Sequence, residues 1–570
     1  MTLDDQTLPA RPGSIREEDV KLEEGHAVRE SALSEGTFHQ SQVVGKAIRK
    51  HFFCPPDATL ADAVNRDADN VEFTDAEEKA VRRKIDRRVL TLVVSRSVMN
   101  VVSYLGNAHV LKAFNDNFGI TNNNQWTLAL SIFYVGYCSD DTPCSDAFSA
   151  NMPSIGLLEM PANVLQRYIG ANRFFFLSLT WWGLASVSFV YAKGYGGLLA
   201  LRCAPCGLYR VLLGIGEAGY YAGMIYYLSF WYKRSELALR ISLCMTGTLP
   251  GAIGGLLAFG IVRIQTKVLV GWQLLFLVEA IPTIFMAIVT LLFLPSFPFS
   301  SSFLTPREKA IAQARLNRDH RPKSHGGMTG WEGFKAVVND IHAWLLMFMY
   351  ASFNVGATSI VYFLPTLINE LGFSPLASQG LTVAPYVVGW LMVVFQAWHS
   401  DKTRDRGYHI MLSTVVSCIG YTVLAVLATR GSGSNMIGGR YFALFLVVGG
   451  NYSLFPLVMS WAANVFSPTS KRGVGTAFIV SISNCVSIAS PQVYFDANDN
   501  YQKGHAISAA CLFLTFLPSF VLRMRLARMN KKNAAKRLAM AAEGASVMEI
   551  AGLERNEEIY DNDARYVFMT

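Results

Sequence analysis

Long apolar runs alternate with short charged clusters along most of this chain. Runs recur at about 89–106, 126–137, 173–192, 211–231, 237–262 and 272–294. After a polar segment they return at about 341–366, 376–398, 408–429, 439–461, 473–493 and 504–522. About 20 apolar residues at a rise of roughly 1.5 Å each cover the hydrocarbon core of a bilayer. The pattern therefore predicts an all-α polytopic membrane protein with 12 transmembrane helices in two six-helix bundles.

The runs set the domain boundaries. Residues 1–88 form an N-terminal tail, mostly disordered, because 1–72 are poor in aromatics and rich in Glu, Ser and Asp. Within it Thr74 and Glu77 have capping-box spacing, so a short basic helix is expected over Glu77 to Arg88. The first bundle is 89–294, the central loop 295–340, and the second bundle 341–525. The tail 526–570 is basic at first and expected to be disordered at its end. Two stretches, about 138–156 and 203–210, interrupt the first bundle. Asp140, Asp141, Pro143 and Asp146 cannot lie in lipid, where unpaired charge and broken backbone hydrogen bonding cost several kcal/mol. Both read as insertions, either translated splice remnants or genuine loops.

Charge orients the runs. Seventeen Lys and Arg fall in the loops after the second, fourth, sixth, eighth and tenth runs, against seven in the alternate set. That bias puts both termini and the central loop in the cytoplasm. Composition agrees: 51% of the 570 residues are hydrophobic, 16% are charged, and mean hydropathy is +0.28. The net charge of +8 sits in loops and tails, so it sets orientation and offers no nucleic-acid surface. Met1 to Asp86 holds no secretory signal, and the nine scattered cysteines form no disulfide framework. No phosphate loop, metal cluster or nucleophile elbow is present in the sequence, so neither an enzyme nor a cofactor is expected.

Several stretches carry a resemblance. Leu212, Gly214, Gly216, Glu217, Ala218 and Gly219, followed by Tyr226, Trp231, Lys233, Arg234, Glu236 and Arg240, form the most specific. Gly106-Asn107-Ala108, Ser131 to Tyr137, Glu159 to Asn163, Gly271-Trp272 with Glu279, Phe303 to Pro306, and His399 to Lys402 with Arg406 and Gly407 continue it. Asn464 and Lys471-Arg472 close the series. From about 80 to 525 the chain resembles the fungal allantoate permease-like branch of the anion:cation symporters, within the major facilitator superfamily. The resemblance implies a monomeric plasma-membrane carrier that imports a small organic anion such as nicotinate, pantothenate or allantoate together with H+. There are departures. Val101 and Val102 stand where the family has an Asp-Arg pair, and Ala222 stands where it has Pro.

Candidate residues carry two readings each. Glu217 and Glu279 are proton-coupling candidates, since a carboxyl in low dielectric titrates nearer neutrality. The commoner role for each is a structural acid, Glu217 bonded to backbone or to Arg202 or Arg210 and Glu279 near its helix entry beside Trp272. Asn107, Asn354, Tyr362, Arg440, Asn451 and Asn484 are substrate-cavity candidates, or interhelical hydrogen bonds and a snorkelling Arg. Asp401, Lys402 and Arg406 are gate candidates, because opposite charges at helix ends can bridge in one transport state and part in another. Lys233, Arg234, Arg240, Lys471 and Arg472 anchor topology. Gly247, Gly251 and Gly255, four apart, mark a packing face. Alternatives to import are export by the same fold, a non-transporting sensor, or an inactive product if the insertions are real.

Overall fold

The structure, a computed structural model, describes residues 71–95, 169–190, 223–245, 248–261, 269–319, 330–429, 434–486, 489–494, 500–543 and 566–570, with isolated positions between. Among the described residues every regular element is helical. Helix α1, Asp75–Ile85, begins where the capping box predicts: the Glu77 N–H donates to Thr74 Oγ1 and the Glu77 carboxylate accepts from the Thr74 N–H at 3.0 Å. It runs on through a wider turn at Asp86–Leu90.

The first half contributes α2 (Ala171–Phe189), α3 (Leu237–Met245), α4 (Thr248–Ile261) and α5 (Gly271–Phe293). Residues 223–229 form a further helical stretch leading to the turn before α3. The central segment holds α6 (Pro306–Asn317), opened by a second capping box at Thr305 and Glu308, and α7 (Gly330–Val338). The second half follows with α8 (Ile341–Asn369), α9 (Pro375–Leu381), α10 (Val383–Thr403) and α11 (Gly407–Ala428). It ends with α12 (Ser434–Val465), α13 (Thr469–Val486) and α14 (Gln502–Ala542).

Seven stretches of the described residues are long and apolar enough to cross a membrane: 234–261, 273–293, 341–369, 375–403, 407–428, 436–465 and 502–542. Helices α2 and α13 cover two more of the expected runs. The runs at 89–106, 126–137 and 211–231 lie largely outside the described residues, and so do the stretches 138–156 and 203–210. The outward faces are apolar, as lipid requires: Phe285 and Leu292 on α5, Leu391 and Phe395 on α10, and Phe513 and Leu517 on α14 are each more than half exposed.

The two halves meet along a seam of small residues. A Cβ on Gly251 would lie 2.9 Å from the Tyr386 ring, and one on Gly255 would lie 2.6 Å from Thr382 Oγ1. Gly251 and Gly255 of the glycine face read from the sequence therefore stand at the contact between α4 and the α9–α10 segment, and Gly247 lies outside the described residues. Within the second half, Gly450 brings α12 against α11, where a Cβ would lie 2.7 Å from the Ser413 carbonyl. Such close approach replaces the hydrophobic drive that lipid does not supply.

The end of the chain differs from expectation. Helix α14 passes the anticipated boundary at 525 and continues to Ala542, because 526–542 is dense in Ala, Arg, Lys, Met and Leu, all strong helix formers. Residues 566–570 are not loose either, with Tyr566 and Phe568 each 4% exposed.

Candidate functional site

The candidates for the passage fall in three groups. Glu217 and Asn107 lie outside the described residues, while Glu279 and Asn484 sit on the described backbones of α5 and α13. Asn354 and Tyr362 lie on α8, and Arg440 and Asn451 on α12. Asn354 donates to the Ser483 carbonyl of α13 at 3.4 Å, whereas Asn451 donates to the Tyr421 hydroxyl at 3.3 Å. Tyr421 in turn donates to the Gly356 carbonyl at 2.8 Å. Asn354 and Asn451 thus turn to different neighbours, one on α13 and the other on α11. Tyr362 is half-buried, and Arg440 is buried with the Glu370 carboxylate as its electrostatic partner.

Sequence reading passed over one residue near them. His505 is 1% exposed and lies 3.0 Å from the Tyr494 hydroxyl, with Arg440 in electrostatic reach. A histidine at the start of an apolar run is the signal that marks it.

The densest chemistry lies at the charged end of the helices. The chain reverses at 230–236, and there Lys233 pairs with Glu78 at 2.5 Å, Arg234 with Asp319 at 3.4 Å, and Arg240 with Asp86 at 2.9 Å. Glu236 is held between Arg82, at 3.1 Å, and Arg315. Arg315 is fully buried and also faces Glu78 at 3.4 Å. The cations of the reversal are therefore paired with acids of other segments. They tie α1 and α6 to the start of α3. A buried ion pair is costly to break because the stranded partner keeps its desolvation cost.

A charged contact also crosses between the halves. The Asp401 carboxylate, at the end of α10, accepts from the Leu239 N–H at 2.9 Å and the Ala238 N–H at 3.3 Å. It caps the first turn of α3, where unpaired N–H groups and the helix dipole favour a negative charge. Arg406, itself fully buried, pairs with Asp401 at 2.5 Å and donates to the Arg234 carbonyl at 3.2 Å and to Ser400 at 3.0 Å. A tight turn makes this possible, since Arg404 takes a left-handed φ of 55° and returns Arg406 beside Asp401. Lys402 points away, 5.3 Å from the Trp398 ring, so the structure separates it from its two companions.

The second reversal, at 466–472, is built differently. Lys471 pairs with Asp340 at 2.9 Å, and Arg472 donates to the Phe466 carbonyl at 3.4 Å. Asp340 caps α8 through the His342 N–H at 2.9 Å. Burial alone would raise the Asp340 pKa, but His342 and Lys471 together hold it well below the usual carboxylate range. Glu236, Arg315 and Asp319 were not among the site residues expected from sequence. Glu236 stands inside the hinge motif, and a polar helix with a buried face was the remaining clue for Arg315.

Comparison with known proteins agrees with this architecture. Residues 97–491 match the family model described as Major Facilitator Superfamily. The chain is similar to MFS transporter prlL of Fungal sp. (strain NRRL 50135), 28% identical over 80% of this chain and 88% of that protein. It is similar to MFS-type transporter efuF of Hormonema carpetanum, 30% identical over 72% of this chain and 77% of that one. The fold is similar to that of the xylose transporter XylE from E. coli, with a TM-score of 0.54 at 13% identity over 78% of this chain and 97% of the other.

Proposed function

This chain belongs to the Major Facilitator Superfamily, and from that premise we propose that it imports a small organic anion by proton symport and alternating access. As a family member it is an integral-membrane secondary transporter, a carrier and not an enzyme. The finer reading is ours. The carrier has twelve spans in two six-helix bundles, both termini and the charged end in the cytoplasm, and works as a monomer in the plasma membrane. It is of the allantoate permease-like kind of anion:cation symporter, and its substrate is a vitamin-like or nitrogen-source carboxylate such as nicotinate, pantothenate or allantoate.

The observation that carries the alternating-access reading is the Asp401–Arg406 contact with the start of α3. It joins one half to the other through charge and helix-cap bonds that can form and part as a unit, which is what a two-state gate requires. Glu217 and Glu279 are the acids assigned to proton loading, and Arg440 is the cation assigned to the substrate carboxylate. Asn107, Asn354, Tyr362, Asn451 and Asn484 are assigned to its polar atoms.

The test is uptake of labelled nicotinate, pantothenate and allantoate by cells that express the chain. Accumulation should be strongest with acid outside and should collapse with an uncoupler. Retention of a metabolite in cells lacking the protein, with no uptake of any of the three, would instead establish export.

A further inference from the structure

Residues 566–570 lie in a groove at the charged end, between the last turns of α12 and the lower part of α14. The groove reads the segment's main chain. Asn530 on α14 accepts from the Phe568 N–H at 2.9 Å and donates to the Phe568 carbonyl at 2.8 Å, so one amide satisfies both groups of a single residue. Trp461 on α12, fully buried, donates its indole N–H to the Met569 carbonyl at 2.9 Å. The Tyr566 hydroxyl donates to the Asn464 carbonyl at 2.6 Å, and its ring packs edge-on against Phe568, centroids 4.8 Å apart. Buried polar groups of this kind are costly to leave without partners. The two ends of the segment reach the gate itself. Thr570 accepts through its carbonyl from the Arg406 and Gly407 N–H groups. Across the seam, Arg234 of the first half donates to the Val567 carbonyl at 3.3 Å and stacks over the Tyr566 ring at 4.9 Å.

We propose that this groove is a docking site for residues 566–570, which act as a strap binding the two halves at the charged end and must leave for that end to open. The segment touches α12, α14 and the α10–α11 turn on one side and the first-half reversal on the other. It also lies against Arg234 and Arg406, the two residues that already carry a bond between the halves. Separation of the halves pulls Arg234 away from Trp461 and Asn530, and the segment cannot keep both sets of bonds. Docking therefore favours the closed end, by linkage, in proportion to its affinity for that state over the open one. This inference rests on the alternating-access reading.

The test is hydrogen exchange on the purified full-length protein, followed at the amides of Ala238 and Leu239. Those groups sit in the first turn of α3, where no carbonyl of the same helix serves them, so their protection reports the Asp401 contact directly. A chain ending at residue 565 should exchange there roughly tenfold faster, the effect of losing one or two net hydrogen bonds. Full-length Asn530→Ala should move in the same direction by a smaller factor, and amides in the α11–α12 core should be unchanged in both. Protection at 238–239 that is the same with and without the strap would overturn the proposal and leave the gate standing. Absence of protection in the unaltered protein would remove the gate and the strap together.

Discussion

The two reversals of the chain at the charged end occupy matching places in their halves and are secured by different chemistry. The first, around 230–240, is held by charge drawn from other segments: Glu78 and Asp86 from α1 with its extension, and Arg315 and Asp319 from the central segment. The second, at 466–472, leans on the Asp340–Lys471 pair and on the neighbouring strap, whose bonds are mostly between neutral amides, indole and backbone. The first arrangement is an ionic cluster around the buried Arg315 and Glu236, with its outer members half-exposed. Apart from that ion pair, the second is a set of bonds between neutral groups, which part without stranding a charge. A carrier whose halves must part can use the first as a fixed clamp on its own half and the second as the part that releases.

Four substitutions break or sharpen that contrast. The largest effect is expected from Arg315→Leu, which removes the fully buried one of the two cations holding the Glu236 carboxylate and leaves it to Arg82; unfolding stability in detergent should fall by about 3 kcal/mol. Near-normal stability would mean the first reversal is not held by its ions. Next, Asp401→Asn weakens a charge-assisted cap and the partner of Arg406. It should make the charged end open about tenfold more often, read as solvent accessibility of the α3 start.

The third concerns acid. The folded-state pKa of Asp340 is depressed, so its contribution is fully present above its ordinary value of 3.8 and is lost as pH falls through the folded value. Asp340→Asn should therefore lower stability near neutrality and flatten the loss seen on acidification below that point. A melting-temperature profile against pH that keeps its acid limb would assign the limb to other carboxylates. The smallest effect belongs to Lys402→Ala, under about 0.5 kcal/mol and without influence on opening, because that ammonium only rests over Trp398.

What could be read from sequence was local. The capping box at Thr74 and Glu77 needs only four adjacent residues, and the glycine spacing that meets Tyr386 and Thr382 needs one helix. The cationic hinge was visible, but its partners were not. Arg240 meets Asp86 across 154 positions and Arg315 meets Glu236 across 79, and no periodicity joins positions so far apart. Asp401 and Arg406 could be singled out by type and spacing, whereas the helix start they cap could not. The strap was missed because a polar, charged tail outweighs its short run of Tyr566, Val567, Phe568 and Met569. That run, apolar where its surroundings are not, was the one available sign.

Transport by the purified chain tests proton-driven import most directly. Reconstituted in vesicles with acid outside, it should accumulate at least one of labelled nicotinate, pantothenate and allantoate above the external concentration, and an uncoupler should release the gain. If none of the three accumulates under any proton gradient, while the same preparation shows its charged end opening and closing, proton-driven import of such an anion is contradicted.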